Sequence, residues 1–372
     1  MDRVRMILVG GFLGAGKTTL LWEAARRLAA RGRRVGLITN DQAPDLVDTG
    51  LLAERGMVVQ EVTGSCFCCN FPGLISAAEG LAADLKADIL IAEPVGSCTD
   101  LSATILQPLK DRFGHEFVLA PLSVLADAVR LREVLTRRGD TLHSSAAYIY
   151  RKQLEEADFI VLNKTDLVAP DDLDELRNLV AAMYPNAELR CISALKGEGV
   201  EGWLDAVLAG QGAGRRITDV DYDVYAEGEA VLGWLNTIIH LSMNGGTADW
   251  RGVVADIMDE LQQAFRARRA DVAHVKLLLS AAGGHYVANL TRTDGQVLVQ
   301  GQIAGSPAEA SLILNARVEM SPQALEGIVR AALMSAAGTQ ITARIEHLKS
   351  LSPGRPNPTY RYPAAGRGPP GE

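Results

Sequence analysis

Val4-Arg5-Met6-Ile7-Leu8-Val9-Gly10-Gly11-Phe12-Leu13-Gly14-Ala15-Gly16-Lys17-Thr18-Thr19 decides the fold. An apolar, β-branched run leads into G-x-x-x-x-G-K-T, and a helical pattern begins at the Lys-Thr pair. Strand, glycine loop and helix in that order form a phosphate-binding loop. Gly11, Gly14, Ala15 and Gly16 let the backbone wrap closely around phosphate oxygens, with N–H groups pointing inward as donors. The helix start adds a fixed partial positive charge. Lys17 is expected to reach the terminal phosphates, Thr18 to place its hydroxyl on Mg²⁺, and Thr19 to continue the cradle. A glycine-rich turn without this role would need neither the lysine nor the threonine.

Working outward, the first two hundred residues alternate short apolar runs with helical patterns. Strands are expected at Arg5–Val9, Val35–Thr39, Val58–Val62, Ile89–Ala92, Phe117–Leu125, Phe159–Leu162 and Glu188–Ile192. Helical stretches such as Lys17–Ala30, Leu74–Lys86, Ser144–Ala157, Asp172–Met183 and Val200–Leu208 lie between them. This alternation predicts an α/β fold, a P-loop NTPase with a doubly wound, mostly parallel sheet. A glycine-rich break at Gly210-Gln211-Gly212-Ala213-Gly214 reads as a linker, after which the pattern changes. Strands at Leu232–Leu241, Val272–Leu279, His285–Thr291, Leu312–Val318 and Gln340–Glu346, with helices at Asp249–Arg268 and Pro322–Ser335, predict a smaller α+β domain. Its element order suggests a ferredoxin-like variant. The domains are accordingly expected at 1–210 and 219–350, with a linker at 211–218 and a Pro/Gly-rich tail at 351–372.

Base choice is read from Asn163-Lys164-Thr165-Asp166, directly after the apolar run Phe159–Leu162. A carboxylate at Asp166 accepts from the N1–H and N2 amine of guanine, a donor pair that adenine lacks, so GTP is the expected nucleotide. Asn163 would brace the loop and the Lys164 stem would lie over the base. In Cys191-Ile192-Ser193-Ala194, Ser193 and Ala194 end another strand, where the Ala194 N–H would meet the guanine O6. On the γ-phosphate side, Glu93 ends the run Ile89–Ala92 and is the candidate Mg²⁺ acid, direct or through water. The Gly96 N–H would sense the γ-phosphate. Asp41 either approaches the metal or attacking water or caps the following turn. No arginine finger or glutamine stands out, so slow intrinsic hydrolysis is expected.

Three of five cysteines fall within four residues, Cys66, Cys68 and Cys69. Thiolates are soft ligands suited to Zn²⁺ and similar ions, and three of them leave one tetrahedral position open, as a carrier requires. Cys98, two residues past Gly96, is expected to approach the cluster. So few cysteines in 372 residues are no secreted disulfide framework. The amino terminus runs straight into a strand, and no apolar run is long enough to span a membrane, so a cytoplasmic protein is expected. A net charge of -8 argues against a general grip on nucleic acid or anionic membrane. The basic run Arg266-x-Arg268-Arg269 is better explained by a solvated helix face.

The Walker loop Gly10–Thr19, Cys66-x-Cys68-Cys69, Glu93-x-x-Gly96 and the stretch Gln153–Leu167 together resemble the CobW-type metallochaperone GTPases. These are relatives of the urease and hydrogenase nickel-insertion GTPases. The resemblance covers about residues 4–210. It implies a SIMIBI-class fold and nucleotide-dependent homodimers in some members. It further implies Zn²⁺ or Co²⁺ at the cysteines, delivered to a client metalloenzyme or cofactor-assembly protein. Thr39-Asn40-Asp41 is closer to the nickel-insertion branch, Pro94-Val95 is unusual, and the C-terminal domain departs from the family pattern. A different reading remains open, a GTPase that remodels a cofactor-dependent enzyme without carrying free metal.

Overall fold

The computed structural model describes residues 3–41, 47–136, 143–210 and 212–366. Gln211 of the expected linker and residues 367–372 of the expected tail lie outside the described residues. By its internal contacts the chain divides into two compact units. Met1–Gln42, Leu52–Gly228 and Arg355–Glu372 form one, and Ala43–Leu51 with Glu229–Gly354 form the other.

In the first unit β1 (Val4–Gly11) leads into α1 (Lys17–Ala30), followed by β2 (Val35–Asn40) and α2 (Val47–Glu54), the helix across which the division falls. Then come β3 (Val59–Val62), α3 (Phe71–Asp84), β4 (Ile89–Glu93), a π-helical turn (Ser102–Leu106) and α4 (Gln107–Phe113). The series continues through β5 (Phe117–Leu119), β6 (Ser123–Asp127), α5 (Ala128–Thr136), α6 (Ser144–Glu156), β7 (Phe159–Asn163), α7 (Pro170–Met183), β8 (Glu188–Cys191), α8 (Val200–Ala209) and α9 (Tyr222–Ala230). The strands form one parallel sheet in the order β3-β2-β4-β1-β6-β7-β8, with β5 also pairing β1. Strands β4, β6 and β7 are buried along their whole length, as a sheet covered on both faces requires. Leu20, Leu21, Ala24 and Leu28 of α1 and Trp203, Leu204 and Val207 of α8 pack against Ile7, Val9, Ile91 and Val161.

The doubly wound parallel sheet is as the sequence predicted, with one difference. The stretch 117–125 is two strands. Pro121 lacks a backbone N–H and interrupts the ladder. Phe117–Leu119 pairs with Val4–Met6, and Ser123–Leu125 pairs with Val9–Gly11, so one edge of β1 is served twice.

The second unit is an antiparallel sheet built from β9 (Leu232–Met243), β10 (Val272–Ala281), β11 (Gly284–Leu290), β12 (Leu298–Ile303), β13 (Glu309–Glu319) and β14 (Ile341–Leu351). Their order is β12-β11-β10-β13-β9-β14. With α10 (Trp250–Ala267) joining β9 to β10 and α11 (Pro322–Ala337) joining β13 to β14, the four strands β10-β13-β9-β14 reproduce the ferredoxin-like order. The hairpin partner β12 extends the edge and carried no strand signal, because its side chains are exposed or half-exposed throughout. Leu277, Leu279, Leu312 and Leu314 share one apolar core with Val254, Leu261, Phe265, Val329 and Leu333 of the two helices. Leu278 and Ile313 alternate to the other face, where Val47 and Leu51 cover them. There Lys276 pairs with Asp48 at 2.6 Å, and Asn315 accepts the Val47 N–H at 2.7 Å.

Candidate nucleotide and metal site

The carboxyl ends of β1, β2, β4, β6 and β7 gather the polar residues of the first unit, the usual place for a ligand in an open α/β sheet. Gly16 stands at the start of α1 with φ 94°, and a side chain there would meet Asn163 Nδ2 at 2.4 Å. That amide donates to Ala15 O at 2.8 Å, so Asn163 ties the end of β7 to the phosphate loop. Lys17 folds back over the loop and donates to Gly11 O at 2.9 Å, with its ammonium 3.8 Å from Glu93 Oε1. The Thr18 hydroxyl lies 3.2 Å from Glu93 Oε2. Thr19 follows, half-buried, and Gly14 sits at φ 77° on the loop's outer bend. Two oxygen donors side by side at the end of β4 suit a hard divalent ion such as Mg²⁺. Asp41 is buried, with its backbone N–H on Val62 O at 3.2 Å.

Gly96 packs directly on the phosphate loop. An added Cβ would lie 2.7 Å from Leu13 Cδ2 and 3.1 Å from the Leu13 backbone nitrogen. Its carbonyl and that of Cys98 both accept from Gln153 Nε2, at 3.0 and 2.8 Å. Gln153 therefore pins the loop after β4 from α6. Glu156, one helical turn on, accepts from the Ser102 backbone N–H at 2.9 Å and lies 3.3 Å from the Thr99 hydroxyl. Burial pushes its carboxyl up to about 8, against its hydrogen bonds, with the nearby Asp100 charge adding to the rise.

On the base side, Asp166 lies in a short 3₁₀ turn, Thr165–Leu167, with Lys196 3.7 Å away. Lys164 takes a left-handed backbone, φ 62°, and its ammonium meets Asp127 Oδ2 at 2.7 Å. Burial alone would raise the Asp127 carboxyl, but the Lys164 charge and hydrogen bond and the Arg130 backbone N–H hold it below the ordinary range. Asp127 also caps α5 through the Val129 and Arg130 N–H groups. The Ala194 N–H, expected to face a guanine O6, instead donates to Asn163 Oδ1 at 2.9 Å. Ser193 is buried beneath it and its hydroxyl accepts from Lys196 N at 3.3 Å.

The thiols of Cys66, Cys68 and Cys69 converge, separated by 2.9, 3.3 and 3.8 Å. About 2.3 Å for each Zn–S bond at tetrahedral angles requires about 3.8 Å between sulfurs, so a small outward movement accommodates such an ion. The turn that aligns them is closed by the Cys69 and Asn70 N–H groups on Cys66 O. Asn70 then caps α3 through Gly73 N at 3.1 Å. The turn is tied to β2 by Asn40, which donates to Val62 O and Ser65 O at 2.8 and 2.9 Å and accepts from Phe67 N at 2.8 Å. Cys98, fully buried, lies beside Cys66 and Cys68. The donated hydrogen bonds draw the Cys66 thiol well below its usual range, and the same sharing raises Cys68.

Cys69 is the half-buried member, and the tail covers it. Asn357 N donates to Cys69 Sγ at 3.3 Å, and Thr359 bonds Cys68 O through its N–H at 2.8 Å and Cys69 O through its hydroxyl at 3.1 Å. Tyr360 sits edge-on to Phe71 and under the Arg112 guanidinium. Arg361 reaches the buried Asp100 at 2.7 Å. Residues 355–366 are therefore a strap over the thiols. The motifs by themselves assign no role to Asn40, Asp127 or Glu156. Asn40 and Asp127 carried a signal, because each stands at the polar end of an apolar strand, as Glu93 does.

The family model described as CobW/HypB/UreG, nucleotide-binding domain, matches residues 5–190. The chain is 30% identical over 202 residues to the zinc chaperone YjiA of Escherichia coli strain K12, covering 52% of this chain and 58% of the relative. It is 27% identical over 238 residues to the zinc chaperone CobW of Sinorhizobium sp, covering 57% and 64%. The chain thus spans little more than half the length of these relatives. Among solved structures it is similar to Zn(II)-bound YjiA GTPase from E. coli, with 16% identity, TM-score 0.36 and coverage of 90% of this chain and 99% of the other. A nickel complex of HypB from Helicobacter pylori shows 20% identity and TM-score 0.41, covering 55% and 86%. The phosphate loop, the strand-end polar residues and the family match agree: the chain belongs to the CobW/HypB/UreG family of nucleotide-binding proteins.

Proposed function

We propose that this protein is a Mg²⁺-dependent GTPase that carries a transition metal of the Zn²⁺ or Co²⁺ class at Cys66, Cys68 and Cys69. It delivers the ion to a client metalloenzyme or cofactor-assembly protein. The observation that carries this reading is the shared construction of the two sites. Asn40, the last residue of β2 and next to Asp41, staples the thiol turn, and the loop from Glu93 through Gly96 continues into Cys98. Nucleotide and metal therefore act on the same two loops, and linkage requires that each change the affinity of the other equally.

The backbone of Gly11–Gly16 and the start of α1 would hold the phosphates. Lys17 exchanges its bond to Gly11 O for the β- and γ-phosphate oxygens. Thr18 and Glu93 would hold Mg²⁺, which supplies charge neutralisation on those oxygens when bound. Asp41 orients the attacking water, and Gly96 offers its N–H to the γ-phosphate. Asp166 selects guanine, while Asn163 and the Asp127–Lys164 pair keep that loop in place. Hydrolysis is slow without a partner, which is the client or a second copy of this chain. The clustered thiols suit a reducing cytoplasm. Among the described residues no helix is long and apolar enough to cross a membrane.

Titration of the purified chain with Co²⁺ and Zn²⁺ against a competing chelator, with and without Mg²⁺-GTP, tests the proposal. Thiolate-to-cobalt absorbance and metal affinity at least about tenfold tighter in one nucleotide state are expected. Absence of thiolate bands in both states would sink it.

A further inference from the structure

We propose that Gln153 is the positioning residue by which the loop after β4 discriminates GTP from GDP, because it holds the Gly96 peptide where its N–H meets a γ-phosphate. The inference rests on the reading of Gly96 as the γ-phosphate contact and assigns that contact a support from another element. Gln153 is fully buried on α6, fifty-seven residues beyond Gly96 in sequence. Its Nε2 donates to Gly96 O at 3.0 Å and to Cys98 O at 2.8 Å, which uses both N–H groups of the amide. The opposite orientation would set an amide oxygen against two carbonyls. Oε1 is also buried and has no hydrogen-bond partner among the described residues. The side chain thus satisfies the loop while its own acceptor stays unpaired, a destabilising arrangement for a residue that only filled space.

Helix α6 supplies the frame. Tyr150, Gln153 and Glu156 follow one another at three-residue steps along one side of it. Tyr150 packs on Phe12 of the phosphate loop, with ring centroids 5.2 Å apart. Gln153 holds Gly96 and Cys98, and Glu156 holds Ser102 through its backbone N–H. One side of a rigid element therefore touches both the phosphate loop and the loop after β4. Gly96 also lies flush against Leu13, with no room for a methyl group. Fixed at its carbonyl by Gln153 and at its α-carbon by Leu13, the Gly96 peptide needs little further ordering when the nucleotide arrives. GDP has no group at this position, so its binding does not depend on the Gln153 bonds. GTP affinity and turnover do.

Gln153→Met in the full chain keeps the volume and loses both donors. Its GTP affinity should fall about tenfold and kcat about a hundredfold, with GDP affinity within about twofold of the wild type. GDP affinity, read by competition on the same samples, also verifies that the nucleotide site is folded. Gln153→Glu supplies a readout that packing alone would not move. A neutral carboxyl still donates one hydrogen bond to these carbonyls, whereas a carboxylate repels both. Turnover of that variant relative to the wild type should therefore rise as pH falls and drop as pH rises. Parallel losses of GTP and GDP affinity in Gln153→Met would overturn the inference, as would an unchanged ratio of the two. A pH profile of Gln153→Glu that follows the wild type would overturn it as well. Gly96→Ala, measured alongside, separates the two readings. If it lowers the ratio of GTP to GDP affinity while Gln153→Met does not, Gly96 stands as the γ-phosphate contact and the inference falls alone. If neither variant lowers that ratio, the reading of Gly96 falls with it.

Discussion

The two units bury polar side chains for opposite reasons. In the parallel sheet, Lys17, Thr18, Asp41, Glu93, Asp127 and Asn163 are all buried, and all stand at or just beyond the carboxyl end of a strand. In the antiparallel sheet, buried polar groups such as Arg317 and Asn236 lie within strands and bond one another. Arg317, on β13, donates to Asn236 Oδ1 at 2.8 Å and to Leu235 O at 3.1 Å, with its guanidinium 4.2 Å over the Trp234 ring. A parallel sheet leaves all its carboxyl ends on one rim, so polar groups there can face a common ligand. Neighbouring antiparallel strands end on opposite rims, so a buried cation inside that sheet is a structural group.

Substitutions can break or sharpen this contrast. Lys17→Ala removes a group whose bond to Gly11 O is replaceable but whose charge toward phosphate is not. GTP turnover should fall at least about a thousandfold, with unfolding free energy changed by no more than about 1 kcal/mol. Normal turnover in that variant would remove the phosphate-binding role of the loop. Arg317→Met should behave in the reverse way. It removes a buried donor to Asn236 Oδ1 and Leu235 O, lowering stability by about 2–4 kcal/mol in denaturant titrations, while GTP turnover of the folded protein is unchanged. Turnover that falls in parallel with stability would erase the distinction between the units.

The rim itself has an inner and an outer side, and the strap defines the outer one. Ending the chain after Gly354 removes Asn357, Thr359, Tyr360 and Arg361 from the thiol turn. Alkylation of Cys69 in the metal-free protein should then accelerate about tenfold, reflecting the exposure it gains. An unchanged rate would show that the strap does not control access.

The smallest effect concerns pH. Glu156 has its folded value raised to about 8 from an ordinary 4.5, so the fold prefers the neutral carboxyl. Its stabilising contribution is complete below about pH 4.5 and is lost as pH rises through about 8. Glu156→Gln should flatten that decline in chemical denaturation series by about 1–3 kcal/mol. A decline of the same slope in the variant would assign it to another group.

Much of the nucleotide corner was legible in the sequence because its signals are local. A strand, a glycine loop and a helix follow one another without interruption from Val4 to Ala30, and the observed α1 has the bounds that its periodicity predicted. The thiol triad was equally legible, since a tight turn brings residues two and three apart together regardless of the surrounding fold. Both halves of the ferredoxin-like frame announced themselves through alternating apolar strands and two amphipathic helices. Exposed edge strand β12 did not, because no periodicity marks a strand with neither face buried.

What the sequence by itself determined is therefore the set of groups whose partners lie within a few residues: the phosphate loop, the turn Asn163–Asp166 and the Cys66-Cys68-Cys69 turn. Only the tertiary structure decided which of these are neighbours. Strand order places β2, β4 and β1 side by side, and this brings Asn40 to the thiol turn and Gly96 to Leu13. It also sets Cys98 against Cys66, lays residues 355–366 over Cys69, and assigns Val47–Leu51 to the sheet of the second unit. Such contacts depend on how apolar faces pair across the whole chain, and linear spacing carries no record of that pairing.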